Sequence, residues 1–512
     1  MLEKFLNIPF ASLNWQEVWH KILETLTYDP QNPLIFNSGF FLLFFIVVMF
    51  FYPLVVNKVR VRTWYLILFS LYFYYKTSGS FVLMLLVTSG INFLLGSWIY
   101  REKTRSAKTI LISLSVIWNL SFMGYFKYTN FIIETVNYVF NGSLPAQDII
   151  LPVGISFFTF QTMSYSLDIF FGKLKPVRNF ADFTFFVCFF PQLVAGPILR
   201  ASWFLPQINK YLSLNRERIS QALFLIIAGL IKKGVIADYI SINFVDRVFS
   251  NPSLFSGVEN LLAVYGYGLQ IYCDFSGYSD IAIGLATLLG FSIPPNFNFP
   301  YRAYSITDFW RRWHISLSSW LRDYLYIPLG GNRKGKIRTH VNIMITMLLG
   351  GLWHGASWNF VFWGGLHGLA LVIDKVLHAT IFRRSAAVMI RQLKPNPILT
   401  ALGIFLTFNF VSFTWIFFRS DSFANSWLMI SRIFTKFDFS YFLLWISQYR
   451  VVAVLIALGY LSHWIPKHFT ISLRKGLARA PLPLQALAMA VVIWILFQFR
   501  SADLQPFIYF QF

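Results

Sequence analysis

Uncharged, largely apolar stretches recur along this chain at residues 30–57, 77–100, 109–126, 183–199, 281–301, 341–373, 395–418 and 480–499. A helix needs about 20 apolar residues to cross a hydrocarbon core about 30 Å thick, and most of these runs are that long or close to it. Shorter candidates lie near residues 64–75, 149–171, 220–241, 258–273, 439–449 and 451–466. Run length alone therefore predicts an all-α polytopic integral membrane protein with about eleven to thirteen membrane segments. Ahead of them, residues 14–26 predict a short helix lying at the interface. The first thirty residues show no basic-then-apolar signal peptide, and the chain shows no internal repeat and no low-complexity linker. The expected organisation is an interfacial segment, 1–30, and a single membrane domain, 31–512.

Several places interrupt the smooth pattern. Residues 341–373 run 33 positions without charge or proline, about 50 Å as one helix, which exceeds the hydrocarbon core. The run is expected to break at Gly350-Gly351-Leu352-Trp353-His354-Gly355, where glycine weakens the helix. Such a break at membrane depth needs cover from protein or a water-filled cavity, which would place His354 beside a cavity. Pro191, Gly196 and Pro197 in the run 183–199 predict either a re-entrant segment or a plain proline kink. Asp274 and Asp280 lie in an otherwise apolar stretch, so they face a cavity or partner, or else cap helix ends at the interface.

Residues 305–326 carry a different period. Ile306, Phe309, Trp310, Trp313, Leu317, Trp320, Leu321 and Tyr324 fall on one helical face, opposite Thr307, Asp308, Arg311, Arg312, Ser318, Ser319, Arg322 and Asp323. This predicts an amphipathic helix, its tryptophans at the headgroup level and His314 at the edge of the apolar face.

Composition agrees with the pattern: 56% of residues are hydrophobic and 12% charged, against roughly 25% charged in soluble domains. The net charge of +22 does not imply nucleic acid, because the basic residues sit between spans and not on one continuous face. They cluster at Lys58, Arg60 and Arg62, at Arg101, Lys103, Arg105 and Lys108, and at Arg333, Lys334, Lys336 and Arg338. Short Lys/Arg-rich loops stay cytoplasmic, so the clusters are first of all orientation signals. The first two flank a hairpin turning at Lys76–Gly79, which puts them on one side of the membrane. A basic cytoplasmic mouth would also attract an anionic substrate such as a nucleotide-linked acyl donor. Cys188 and Cys273 both lie in apolar runs and offer neither a disulfide framework nor a metal cluster.

Of eight histidines, His20, His340, His378, His463 and His468 flank spans or charges and are expected to be solvated. His367 is expected to be a hydrogen-bonding residue between helices. His354 is the stronger catalytic candidate, since a neutral imidazole is the usual general base near neutral pH. No HExxH or GxSxG pattern offers a metal or serine alternative. The residues by themselves leave a transferase and a proton-coupled transporter or flippase both open, with a passive scaffold as a third class.

Phe189–Arg200 (FFPQLVAGPILR), Tyr272–Gly284 (YCDFSGYSDIAIG), Phe297–Tyr324 (FNFPYRAYSITDFWRRWHISLSSWLRDY) and Leu349–Trp358 (LGGLWHGASW) resemble the motifs of the membrane-bound O-acyltransferase family. The similarity is closest to the bacterial branch with the alginate O-acetyltransferase membrane subunit, and more distant to the teichoic-acid D-alanyl transferase. It spans about residues 40 to 420, and the last ninety residues carry no readable motif. The resemblance implies many helices ringing a thin core crossed by a funnel or tunnel, in a bacterial cell membrane. It implies that His354 is the catalytic base and His314 the second active-site residue. Asp274, Tyr278, Asp280, Asn298, Arg302, Trp310 and Arg311 match motif positions as lining or structural residues. It also implies no bound cofactor, acetyl-CoA as donor, and an extracytoplasmic acyltransferase and polysaccharide-export complex as partners.

Overall fold

The apolar runs on either side of Lys76–Gly79 fold into a helical hairpin. The computed structural model describes residues 15–30, 33–36, 38–194, 196–211, 214–380, 396–499 and 507, and every regular element among them is a helix. Helix α1 (Trp15–Leu26) precedes α2 (Gly39–Val55), the hairpin α3 (Val59–Ser78) and α4 (Phe81–Arg101), and α5 (Arg105–Met123). A π-helical turn, Gly124–Tyr128, links α5 to α6 (Thr129–Phe140). Gly79 turns the hairpin at φ 61°, a left-handed conformation that glycine adopts without Cβ strain. On α1, Trp19, Ile22, Leu23 and Leu26 are exposed, as suits a helix lying on a lipid surface. Lys76, at the start of the expected turn, is buried, and its ammonium donates to the Thr25 and Thr27 carbonyls at the end of α1.

The next stretch is made of short buried pieces: α7 (Ile155–Phe170), α8 (Phe180–Cys188), α9 (Phe190–Leu193) and α10 (Ala201–Ile208). The Pro191 region is thus two short buried helices meeting at Phe189, not a single kinked span. Arg62, read from sequence as a loop charge, is also buried, and donates to the Ile208 carbonyl at 2.6 Å and the Lys210 carbonyl at 3.1 Å. Helix α11 (Arg216–Leu230) runs on through π-helical turns at Ile231–Ala237 and Ser241–Val245 and lies along α12 (Gly257–Leu288). They approach so closely that a Cβ on Gly229 would stand 2.5 Å from the Gly277 carbonyl oxygen, and one on Gly284 2.8 Å from that of Ala222. Small residues are what allow such backbone approach between membrane helices.

The remaining helices are α13 (Ile306–Arg312), α14 (Ile315–Leu321), α15 (Gly335–His354), α16 (Trp358–Thr380), α17 (Pro397–Arg419), α18 (Phe423–Thr435), α19 (Ser440–Gln448), α20 (Arg450–Leu461), α21 (Lys467–Arg479) and α22 (Leu482–Phe499). Among the described residues, five helices are long and apolar enough to cross a membrane, or six if α19 and α20, bent by 98°, form one broken span. Run length predicts more segments because several apolar runs fold as short or polar-lined helices wrapped by protein. Helix α7 buries Gln161, Thr162, Ser164 and Asp168, while lipid-facing surfaces such as Leu43, Ile46 and Phe50 on α2 are apolar and exposed. Polar inside and apolar outside is the pattern of a multi-pass membrane protein.

Candidate active site

The 33-residue run breaks where glycine clusters, but the glycines do more than weaken the helix. Helix α15 continues through Gly350 and Gly351 and stops at His354, with extended backbone at Gly355. A Cβ on Gly351 would strike the Phe360 carbonyl and stand 3.1 Å from Gly364 Cα, so these glycines let α15 and α16 cross backbone to backbone. A Cβ on Gly355 would overlap the Phe360 ring. His354 is 2% exposed, its ring 5.0 Å from Trp353, 5.2 Å from Trp363 and 5.4 Å from Phe418 between ring centres. It sits in an aromatic enclosure.

The amphipathic helix expected over 305–326 is two helices. Helices α13 and α14 part at Trp313–His314, and His314 takes a left-handed conformation, φ 42°. The side-chain period survives such a break, so periodicity could not reveal it. Asn296 holds the break from a different segment. Its backbone carbonyl accepts from Ile315 N at 2.9 Å, and its side-chain oxygen accepts from Ser316 N at 3.2 Å and Ser316 Oγ at 2.9 Å. The same oxygen lies 3.1 Å from His314 Nδ1. An acceptor facing Nδ1 calls for the Nδ1–H tautomer, which makes Nε2 the lone-pair nitrogen. Trp313 and Trp320 are buried in protein, and His314 is fully buried. The His314 and His354 ring centres are 6.3 Å apart, and Phe275 lies 4.6 Å from His314 edge to face.

The carboxylates are not helix caps, since Asp274 and Asp280 lie in the middle of α12. Asp274 pairs with Lys233 at 2.5 Å, and Lys233 also pairs with Asp238 at 2.7 Å. Asp280 pairs with Lys232, which donates to Ser276 at 3.2 Å as well. Both lysines come from the first π-helical turn after α11 and were missed; their signal was two adjacent lysines inside an apolar run. Tyr278 stacks on Phe36 at 4.5 Å and lies 4.7 Å from Phe507, which also reaches Phe275 at 5.5 Å. Trp310 packs 5.2 Å from His367 and 5.8 Å from Trp363, one ring from His354. Asn298, Arg302 and Arg311 are exposed; Asn298 N donates to the Arg312 carbonyl at 2.9 Å and Arg302 to the His463 carbonyl at 3.3 Å.

His367 bonds Thr414 of α17 at 3.0 Å, the interhelical role expected of it. His463, expected to be solvated, is fully buried, 4.6 Å from the Tyr272 ring and 5.3 Å from Tyr301. The motif-free last ninety residues thus contribute His463 and Phe507 to the packing of α12. Chemically, the site offers two buried imidazoles in an aromatic enclosure, one with its tautomer held by Asn296. This arrangement can take a proton from a hydroxyl and deliver it to a leaving group.

The sequence profile of the membrane-bound O-acyltransferase family matches residues 172–417, a range containing both histidines and Asn296. The probable alginate O-acetylase AlgI of Pseudomonas aeruginosa is 38% identical over 408 residues, covering 78% of this chain and 75% of that protein. A peptidoglycan O-acetyltransferase of Helicobacter pylori is 36% identical over 399 residues, 72% of this chain and 73% of the relative. A teichoic acid D-alanyltransferase of Streptococcus thermophilus is 32% identical over 284 residues, 52% of this chain and 68% of the relative.

Proposed function

Given that this chain belongs to the membrane-bound O-acyltransferase family and is an O-acyltransferase, we propose that it moves an acetyl group from cytoplasmic acetyl-CoA across the membrane for O-acylation of an exported polysaccharide such as alginate. His354 is the general base: it takes the proton of an acceptor hydroxyl as that oxygen attacks the thioester carbonyl. The C–S bond breaks, and the departing thiolate collects a proton. His314 completes the pair from across the enclosure. The observation that carries this reading is the meeting of two buried imidazoles, 6.3 Å apart, at paired helix breaks. The acetyl group then passes to an extracytoplasmic acyltransferase of an export complex. The test is the O-acetyl content of secreted polysaccharide in cells lacking the chain and in cells given it back. Loss of acetyl groups with polymer output intact supports the reading, whereas loss of polymer favours transport. A proton-coupled transporter would use Asp274 and Asp280 as relay groups, but both are engaged by Lys233 and Lys232.

Two predictions bear directly on this reading. His314→Ala is expected to lower acyl transfer about 10²-fold or more, as loss of an acid–base group does. The protein should still reach the membrane, and His314→Phe should not restore activity; recovery with phenylalanine would reduce His314 to a packing residue. The segments 101–108 and 332–340, which join or begin helices, face the cytoplasm, where the donor is. Single cysteines placed there should resist an impermeant thiol reagent in intact cells, against the low background of Cys188 and Cys273, both buried. Labelling from outside would reverse the orientation.

A further inference from the structure

Helix α15 ends at His354, and the carbonyls of a helix's last turn have no partner within the helix. In a membrane interior, bulk water does not meet such groups, so protein donors must. Here the donors are two consecutive side chains of the π-helical turn Gly124–Tyr128. Tyr128 Oη donates to the Leu352 carbonyl at 2.8 Å. Lys127 Nζ donates to the Trp353 carbonyl at 2.7 Å and the His354 carbonyl at 2.9 Å. Three successive carbonyls are met from one turn more than 220 residues earlier in the chain. π-Helical turns are rare and frequently occur at functional sites. The ion pairs among the described residues do not include Lys127, so its charge is directed at the negative end of the α15 dipole.

We propose that Lys127 is a positioning residue of the active site: its ammonium clamps the carbonyl of His354 and so fixes the backbone from which that imidazole is projected toward His314. The proposal rests on the reading of His354 as the base. A base must be held within about 0.5 Å of its productive place, and a displacement of about 1 Å can cost 10²-fold in rate. Lys127 lies outside the matched family profile, at residues 172–417, and no sequence motif marks it. A helix cap of purely structural value would change how much folded protein accumulates, not what each folded molecule does.

The experiment compares Lys127→Met, Lys127→Gln and Lys127→Arg in the full-length protein. It measures kcat and KM for acetyl-CoA per mole of folded protein in membranes. Lys127→Met should lower kcat about 10²-fold with KM unchanged, since the misplaced group is the base and not the donor site. Lys127→Gln, a neutral donor, should fall between, and Lys127→Arg, which keeps charge and donors, should recover most of the rate. Wild-type kcat in Lys127→Met would overturn the proposal, as would failure of arginine to recover. If methionine prevents folding, glutamine decides by the same measure, and failure of both to fold would make Lys127 a folding residue. An inactive His354→Ala beside a fully active Lys127→Met would sink this inference alone, whereas an active His354→Ala would sink the base assignment beneath it. Should the wild type turn over no acetyl-CoA, the donor assignment fails. Acetyl content of polymer per membrane-embedded molecule then ranks the same variants.

Discussion

His354→Ala is expected to bring acylation of the polymer down by about 10²–10⁴-fold, the usual contribution of a positioned general base. Total polymer should be unchanged, because extrusion of a chain and transfer of an acyl group are different reactions. The aromatic enclosure adds a requirement to this test. His354 is 2% exposed and packed by Trp353, Trp363 and Phe418, so alanine leaves a cavity as well as removing a base. Truncating a large core side chain to alanine costs on the order of 2–5 kcal/mol, enough to lower the amount of folded protein. His354→Gln, which fills more of the space and cannot act as a base, separates the two effects. It should be as inactive as alanine per molecule of membrane protein and closer to wild type in abundance. The measurement is acetyl content of secreted polysaccharide, alongside total polymer and chain abundance. Normal acylation in the glutamine variant would leave the enzyme without its proposed base, and loss of polymer with the acetyl groups would favour the transporter.

Lys233→Met should be the most destabilising single change in the α11–α12 pair. Lys233 is almost fully buried and pairs with both Asp274, equally buried, and Asp238. Removing one partner of a buried ion pair strands the other's charge, at a cost of about 3–5 kcal/mol. Stability should therefore drop markedly, read as a lower midpoint of thermal unfolding for purified protein in detergent and as lower membrane abundance. Neutralising Asp274 in the same chain, as Lys233→Met with Asp274→Asn, should recover part of the loss, since one stranded carboxylate is gone. The residual deficit belongs to Asp238. An unchanged midpoint in Lys233→Met, or a double variant no better than the single, would show that the cluster does not hold α11 to α12. Because the effect is on folding, acyl transfer per folded molecule should stay near wild type.

Much of this molecule was legible before any coordinates. Apolar run length and low charge pointed to a multi-pass helical membrane protein, because a segment in lipid must satisfy its own backbone and present apolar side chains. The overlong run 341–373 had to break, and its glycines marked the place within a few residues. His354 and His314 were singled out through motifs; what stayed hidden was how they are held. Three signals misled for one reason. Arg62 reads as a loop charge, Lys76 as part of a turn and His463 as solvated, yet each is buried against a carbonyl or ring from another part of the chain. The continuous amphipathic period over 305–326 concealed the break at His314, since two helices in sequence can preserve one apolar face. Asn296 on His314, Lys233 on Asp274 and Lys127 on the last carbonyls of α15 are all decided by the tertiary structure. A sequence records which groups are polar and which stretches must be desolvated. In a membrane interior each such group must then find a partner, and the choice is made by which helices pack together, across separations that no local spacing encodes.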